Sequence, residues 1–515
     1  MKYLLRSLLT FLVLYGLVAL IADKVYFGHG FSISLGMQIG MAILLFQYLI
    51  GPVIIRWVMD IDWNAQLPVR NRQALEALCA REGLPMPKVG IIHGAMPNAF
   101  TFGRVQSDAS IVVTDGLIEA LTPEELDAVI AHEAGHIKHW DFLTITAAAI
   151  APLLLYQIYA FARRWKDDHW AAYAAYAAYW VSEFIVLSLS RTREYWADNF
   201  AGRATGNPDA LASGLVKICY GMAKVQCENK WAAKHGDVEQ KKAALIQSRL
   251  AGTIGVMGIS TGSAAFALSG PSPEAGAAVM RWDLVNPWAR VYELASTHPL
   301  TANRVQAMNQ LTSSNGQPVS YQIPSTKGIE WSSFPLEIAL WAAPWLCGAA
   351  VLLTRGEGAI IPAAILLVTW LARIAYRYQG RFESTSILTL LSDTLPSEMR
   401  PRAVRIEGEI VGRGEPGAFW SPDLVIKDET GIMFMLDRQS IPLARVVMAQ
   451  KADRLIGQRV VLEGWYRRGV MPYVELSRIT CVEDEDRGHS SYSRWIQMGG
   501  AVAGTALLYS LRNFW

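Results

Sequence analysis

Two histidines stand four residues apart in the run His132-Glu133-Ala134-Gly135-His136. On a helix that spacing puts both imidazoles on one face, about one turn from each other, where they can grip a single zinc ion. Glu133, between them, can then hold a water at the metal and take its proton. The neighbouring residues supply the helix. Thr122 can N-cap it, Pro123 suits the first turn, and Glu125 completes a capping box with Thr122. Leu126, Val129 and Ile130 add an apolar stripe at helical spacing. With nine histidines in 515 residues, the chance of such a motif arising at random is on the order of one in a hundred. A surface helix with two solvated histidines fits poorly, because the segment runs directly into an apolar stretch at Phe142. His139 and Asp141 read as interfacial residues and not as ligands.

A catalytic metal needs a third protein ligand and an open fourth position. Downstream, Arg191-Thr192-Arg193-Glu194-Tyr195-Trp196-Ala197-Asp198 offers two carboxylates, again four apart. One can bind the metal while the other orients a ligand histidine. Alone, this pair is an ordinary charged helix face; behind His132-Glu133-x-x-His136 it completes a site.

The elements that must position these residues lie in an apolar chain. Of 515 residues, 52% are hydrophobic and 18% charged, with a mean hydropathy of +0.21. Soluble domains sit near 45–50% apolar and about 25% charged, so the balance points to a membrane protein. A net charge of +2 gives no basis for a general nucleic-acid binder, and the apolar content excludes disorder. The five cysteines (Cys79, Cys219, Cys227, Cys347 and Cys481) form no C-x-x-C pair, which fits a reducing compartment.

Uncharged runs long enough to cross or nearly cross a bilayer occur at Ser7–Ala22, Val25–Ile55, Phe142–Ala162, Ile338–Thr354, Gly358–Ala372 and Trp495–Leu511. His169–Ser190 is interrupted only by Glu183 and could also be a buried soluble helix. Ser7–Ala22 alone could be a secretory signal peptide; with the second run so close, a hairpin anchor is expected. Lys2, Arg6 and Arg56 place the ends of that hairpin in the cytoplasm, together with Arg373, Arg377 and Arg381. Arg163, Arg164 and Lys166 run against the rule if the middle pair spans. The expected organisation is a transmembrane hairpin at 1–58, a helical metallopeptidase-type domain at 59–334 with an embedded hairpin at 142–190, a second hairpin at 335–381, a β domain at 382–490 and a hydrophobic segment at 491–515.

The β domain reads as five short strands: 404–410, 424–426, 432–436, 460–462 and 473–479. Gly412, Gly414, Pro416, Gly417 and Gly431 punctuate them. Five strands in about 100 residues suggest a small, OB-like barrel. Trp465, Tyr466, Arg467 and Arg468 could touch nucleic acid, but the interspersed acidic residues favour a structural or partner-binding role.

Four elements occur in order: Pro97-Asn98-Ala99-Phe100 with Gly103, then His132-Glu133-x-x-His136, then Ser190-Arg191-x-Arg193-Glu194-x-x-Ala197-Asp198, then Thr297-His298-Pro299 with Arg304. Together they closely resemble the HtpX and CAAX prenyl protease family of integral-membrane zinc metallopeptidases, over roughly residues 56–310. The resemblance implies a gluzincin-type domain holding one Zn2+, with His132, His136 and Glu194 as ligands and Glu133 as general base. It makes Asp198 the aspartate behind a ligand histidine, and Asn98-Ala99-Phe100 an edge strand along the substrate backbone. It gives His298 the stabilisation of the oxyanion and Arg304 a supporting place. Compact members of the family lack everything that follows residue 334.

The function expected is a zinc endopeptidase of the cell (inner) membrane, its site facing the cytoplasm and its substrates membrane or misfolded proteins. No nucleic-acid partner is expected. An adaptor whose β domain binds a protein partner, or a prenyl-protein protease, are the alternatives. Dead relatives usually lose a ligand or the base, and here all four are present.

Overall fold

The structure is a computed structural model that describes Val13 and residues 30–163, 169–219, 272–324, 328–354, 356–413, 424–437, 455–469, 472–483 and 489–511. All of the first apolar run, Ser7–Ala22, except Val13 lies outside the described residues, as do Arg164, Lys166, Cys227, Gly414, Pro416 and Gly417. The chain divides into two compact units. One comprises Met1–Val225, Gln247–Ser260 and Tyr292–Tyr321; the other comprises Gln226–Ile246, Thr261–Val291 and Gln322–Trp515.

The first unit opens with the helix Gly30–Val58, uncharged until Arg56. Its Ile43, Leu45, Phe46, Leu49 and Trp57 are exposed, as expected of a helix whose solvent is lipid. Arg56 anchors its end to Asp108 at 3.1 Å. Two further long helices, Asp141–Ala162 and His169–Thr205, pack side by side. Ala148, Ala151, Leu154 and Leu155 meet Ala178 and Leu189 between them. The Ala-Ala-Tyr triplets serve that contact: Ala171, Ala172, Ala175 and Ala178 are buried, while Tyr173 is turned out. Small residues inward let the backbones approach closely.

Between the first helix and the histidine helix lies a three-stranded sheet of β1 (Lys88–Ile92), β2 (Ala99–Phe102) and β3 (Ser110–Thr114) in the order β1-β3-β2. β1 runs parallel to β3 and β2 antiparallel to it. An Asp62–Ile91 bridge covers the outer edge of β1, and β2 forms the opposite edge of the sheet.

The second unit carries a closed five-stranded barrel of β5 (Arg402–Arg413), β6 (Leu424–Lys427), β7 (Ile432–Leu436), β8 (Arg459–Arg467) and β9 (Tyr473–Cys481), after a short β4 (Glu383–Ser384). β5 pairs β6, β6 pairs β7, β7 pairs β9 in parallel, β9 pairs β8, and β8 returns to β5. The five strands read from the sequence are these five, and closure leaves the barrel itself without a free edge. Alternate residues fill it: Val404, Ile406, Ile426, Met433, Leu462, Val474 and Ile479 are fully buried. A side chain at Gly464 would come within 2.4 Å of Glu475 O, at the point where the β8–β9 register shifts.

Trp465, Tyr466, Arg467 and Arg468 are all buried. Arg467 donates to Glu475 Oε2 at 2.9 Å and to Arg377 O at 2.6 Å. Arg468 donates to Val279 O at 2.9 Å and lies over the Trp282 ring. These side chains hold the unit together and offer nothing to nucleic acid.

Five described helices are long and apolar enough to cross a membrane: Met41–Val58, Asp141–Ala162, Trp170–Thr205, Phe334–Leu353 and Ile360–Arg377. The last run forms the helix Ser493–Leu511, which packs on the Phe334–Leu353 and Ile360–Arg377 pair.

Candidate active site

The helix Pro123–Lys138 starts on the expected capping box: Thr122 accepts from Glu125 N, and Glu125 accepts from Thr122 N at 2.8 Å. It carries His132 and Glu133 into the interior, with His136 partly exposed. The two Nε2 atoms stand 3.1 Å apart. Glu194, from the helix His169–Thr205, places Oε2 3.6 Å from His132 Nε2 and Oε1 3.6 Å from His136 Nε2. A tetrahedral ion with bonds of 2.0–2.1 Å separates its ligands by about 3.3 Å, so the triangle has the right size for one zinc-like ion.

The carboxylates behind the imidazoles point the same way. His132 Nδ1 lies 3.0 Å from Asp198 Oδ1, and His136 Nδ1 lies 2.6 Å from Asp141 Oδ2. Each carboxylate keeps a proton on Nδ1, which turns both Nε2 lone pairs toward one point. Two imidazole Nε2 atoms facing each other at 3.1 Å suit a shared cation. Ligand-type atoms of His132, Glu133 and His136 also lie within 4.8 Å of one another. Of the two glutamates, Glu194 is the one within 3.6 Å of both imidazoles.

Close helix packing makes this reach possible. A Cβ at Gly135 would sit 3.1 Å from both Ala197 Cα and the Phe200 ring. Glycine therefore lets the two helices approach until Glu194 and Asp198 meet the histidines.

Arg304, fully buried on the helix Thr301–Ser314, forks onto Asp198 through Nε at 2.9 Å and Nη2 at 2.6 Å. Its Nη1 lies 3.4 Å from Glu194 Oε2, and His298 Nδ1 lies 3.2 Å from the same oxygen. Arg191 fastens the loop bearing His298, donating to Glu293 O at 2.8 Å and Ser296 O at 2.7 Å. Burial works against a charge on His132, but Asp198 and Glu194 outweigh it and push its pKa up to about 9. His136 is pushed down, chiefly by burial. The metal-free site therefore holds a proton on His132 at neutral pH, which an incoming ion must displace. Apparent affinity for a divalent metal should rise about tenfold per pH unit from pH 7 and level off above about 9. Chelator competition across that range measures it; a flat profile would contradict it.

Asp141 departs from its reading as an interfacial residue. Trp140 has φ 58°, which breaks the helix after His139 and swings Asp141 back beneath His136. Arg193 pairs with Asp141 and also donates to His139 O. Asp141→Asn should lower metal affinity about 10- to 100-fold, as equilibrium dialysis against the metal would register, and should also lower the thermal midpoint because the buried Arg193 loses its carboxylate partner.

On the other side of the motif helix, Asn98 leads into β2 and pairs with Thr114 through Asn98 O at 3.0 Å and Asn98 N at 2.9 Å. Ala99 is buried, and the Phe100 ring packs with Ile61, Ile92, Phe102 and Val112. Only the backbone of Phe100 can therefore line the site. Thr101 donates to Glu133 Oε2 at 2.6 Å. Asp141 and Thr101 thus lie at the candidate site although the motifs did not single them out, and the structure brings His132, Glu133, His136, Glu194, Asp198, His298 and Arg304 together.

The model of peptidase family M48 matches residues 68–312. The "Protease HtpX homolog" of Methanothermobacter thermautotrophicus is 36% identical over 233 residues, which cover 44% of this chain and 89% of that protein. The protein of the same description from Moorella thermoacetica is 36% identical over 205 residues, covering 37% of this chain and 69% of its own. The crystal structure of S. mikatae Ste24p aligns at 17% identity with a TM-score of 0.33, over 59% of this chain and 64% of that one. A likeness that loose places no element.

Proposed function

Since this chain belongs to peptidase family M48 and is a multi-pass membrane metalloprotease, we propose that it is a zinc-dependent endopeptidase cutting membrane or misfolded proteins at the cytoplasmic face. The observation that carries the proposal is the triangle of His132 Nε2, His136 Nε2 and the Glu194 carboxylate, with edges of 3.1, 3.6 and 3.6 Å. These three residues would hold the ion, and Asp198 and Asp141 set the tautomers of the two histidines. Bound there, zinc supplies a Lewis acid for the scissile carbonyl and lowers the pKa of a water toward 7.

The chain's own residues do the rest. Glu133 accepts the proton of the attacking water and delivers it to the leaving amine. The outer edge of β2, beginning beside Asn98, receives the substrate backbone as an added strand. His298 offers a donor toward the negative charge that develops on the carbonyl oxygen. Arg304 balances the buried charge of Asp198 and Glu194.

The cytoplasmic orientation rests on Arg56 and on Arg373, Arg377 and Arg381 at the ends of membrane helices. The adjacent apolar helices favour substrates that are themselves in the membrane. The test is digestion of casein and of a detergent-solubilised membrane protein, before and after chelation, with zinc added back. Loss on chelation and recovery with zinc is expected. Cleavage that survives chelation would end the zinc reading, and cleavage of casein alone would end the membrane-substrate reading.

A further inference from the structure

β2 alternates in its packing. Phe100 and Phe102 turn into the apolar cluster with Ile61, Ile92 and Val112, so Ala99 and Thr101 face the opposite side, where the motif helix lies. Ala99 is fully buried there. Thr101 places its hydroxyl 2.6 Å from Glu133 Oε2 and 3.3 Å from the Glu133 carbonyl. A threonine hydroxyl has one proton to give, and the nearer carboxylate oxygen is the stronger acceptor. Glu133 is 2% exposed, so little water competes for that oxygen. Valine would fill the same space and suit the strand equally well. The hydroxyl is therefore surplus to packing, and it joins the strand that receives substrate to the residue that moves the proton.

We propose that Thr101 is a positioning residue whose hydroxyl pins Oε2 of Glu133 to β2, so that Oε1 stands at a set distance from a peptide lying along that strand. This role rests on the peptidase reading above. Proton transfer is sensitive to displacements of about 1 Å, which cost up to about a hundredfold in rate. A loosened Glu133 should slow turnover without weakening the backbone contacts that bind substrate.

Three variants test it. Thr101→Val should lower kcat about ten- to hundredfold with KM within about twofold of wild type. Thr101→Ser, which keeps the donor, should stay within about threefold in kcat. Metal content should be unchanged in both. A second readout needs no activity: thermal midpoints of the metal-free chain carrying Thr101→Val, Glu133→Met or both. A bond between the two side chains makes the double shift smaller than the sum of the single shifts. Additive shifts, a kcat within twofold of wild type in Thr101→Val, a serine variant as slow as valine, or a change confined to KM would each overturn the proposal. A wild type that cuts nothing overturns the peptidase reading and this role with it, while the midpoints report separately whether the bond exists.

Discussion

Glu133→Gln should cut peptide hydrolysis by about 10²- to 10⁴-fold and leave metal binding intact, the range expected for losing a general base. The substitution keeps the size of the side chain and the acceptor for the Thr101 hydroxyl, which lies 2.6 Å from Oε2. It removes only the capacity to take a proton. Because His132, His136 and Glu194 form the ligand triangle, metal content should stay at wild-type level. Activity and metal analysis on the same samples separate the two roles. Loss of metal with loss of activity would make Glu133 a ligand, and full activity would remove it from the chemistry.

The second large effect is expected at Arg304. Its guanidinium is fully buried and forks onto Asp198 while lying 3.4 Å from Glu194. Arg304→Met keeps much of the volume but leaves two buried carboxylates without their cation. Breaking a buried pair in this way costs about 3–5 kcal/mol. His132, whose Nδ1 leans on Asp198 at 3.0 Å, would lose its fixed orientation as well. The expected result is a large fall in thermal midpoint together with poor metal retention. Adding Asp198→Asn should recover part of the midpoint, since it removes one of the stranded charges. A single variant as stable as wild type would contradict the arrangement.

Much of the site was legible in the sequence because its signals are local. The capping box at Thr122 and Glu125, the i,i+4 spacing of the histidines and the i,i+4 carboxylates each follow from the period of one helix. The barrel strands were legible for the same reason, through alternation broken by glycine and aspartate. What escaped depends on distant partners or on backbone twists. Asp141 reaches His136 only because Trp140 takes a left-handed conformation, which no tryptophan announces. Thr101 meets Glu133 across 32 residues of chain. Trp465 to Arg468 look like a surface patch until β8 closes the barrel and buries them. The helix His169–Thr205 runs unbroken through Ser190, where the change in polarity suggested a boundary. Its apolar half and its ligand half are one rigid element, which ties the candidate site to a helix long enough to span a membrane.

X-ray absorption at the zinc edge, on the purified chain loaded with one equivalent, tests the central claim most directly. The expected spectrum has two imidazole nitrogens and oxygen donors at about 2.0–2.1 Å, and no sulfur near 2.3 Å. Substituting Glu194 with alanine should change the oxygen shell and leave the imidazole signature. Failure to retain a metal, or a sulfur shell in its place, would contradict the site built from His132, His136 and Glu194.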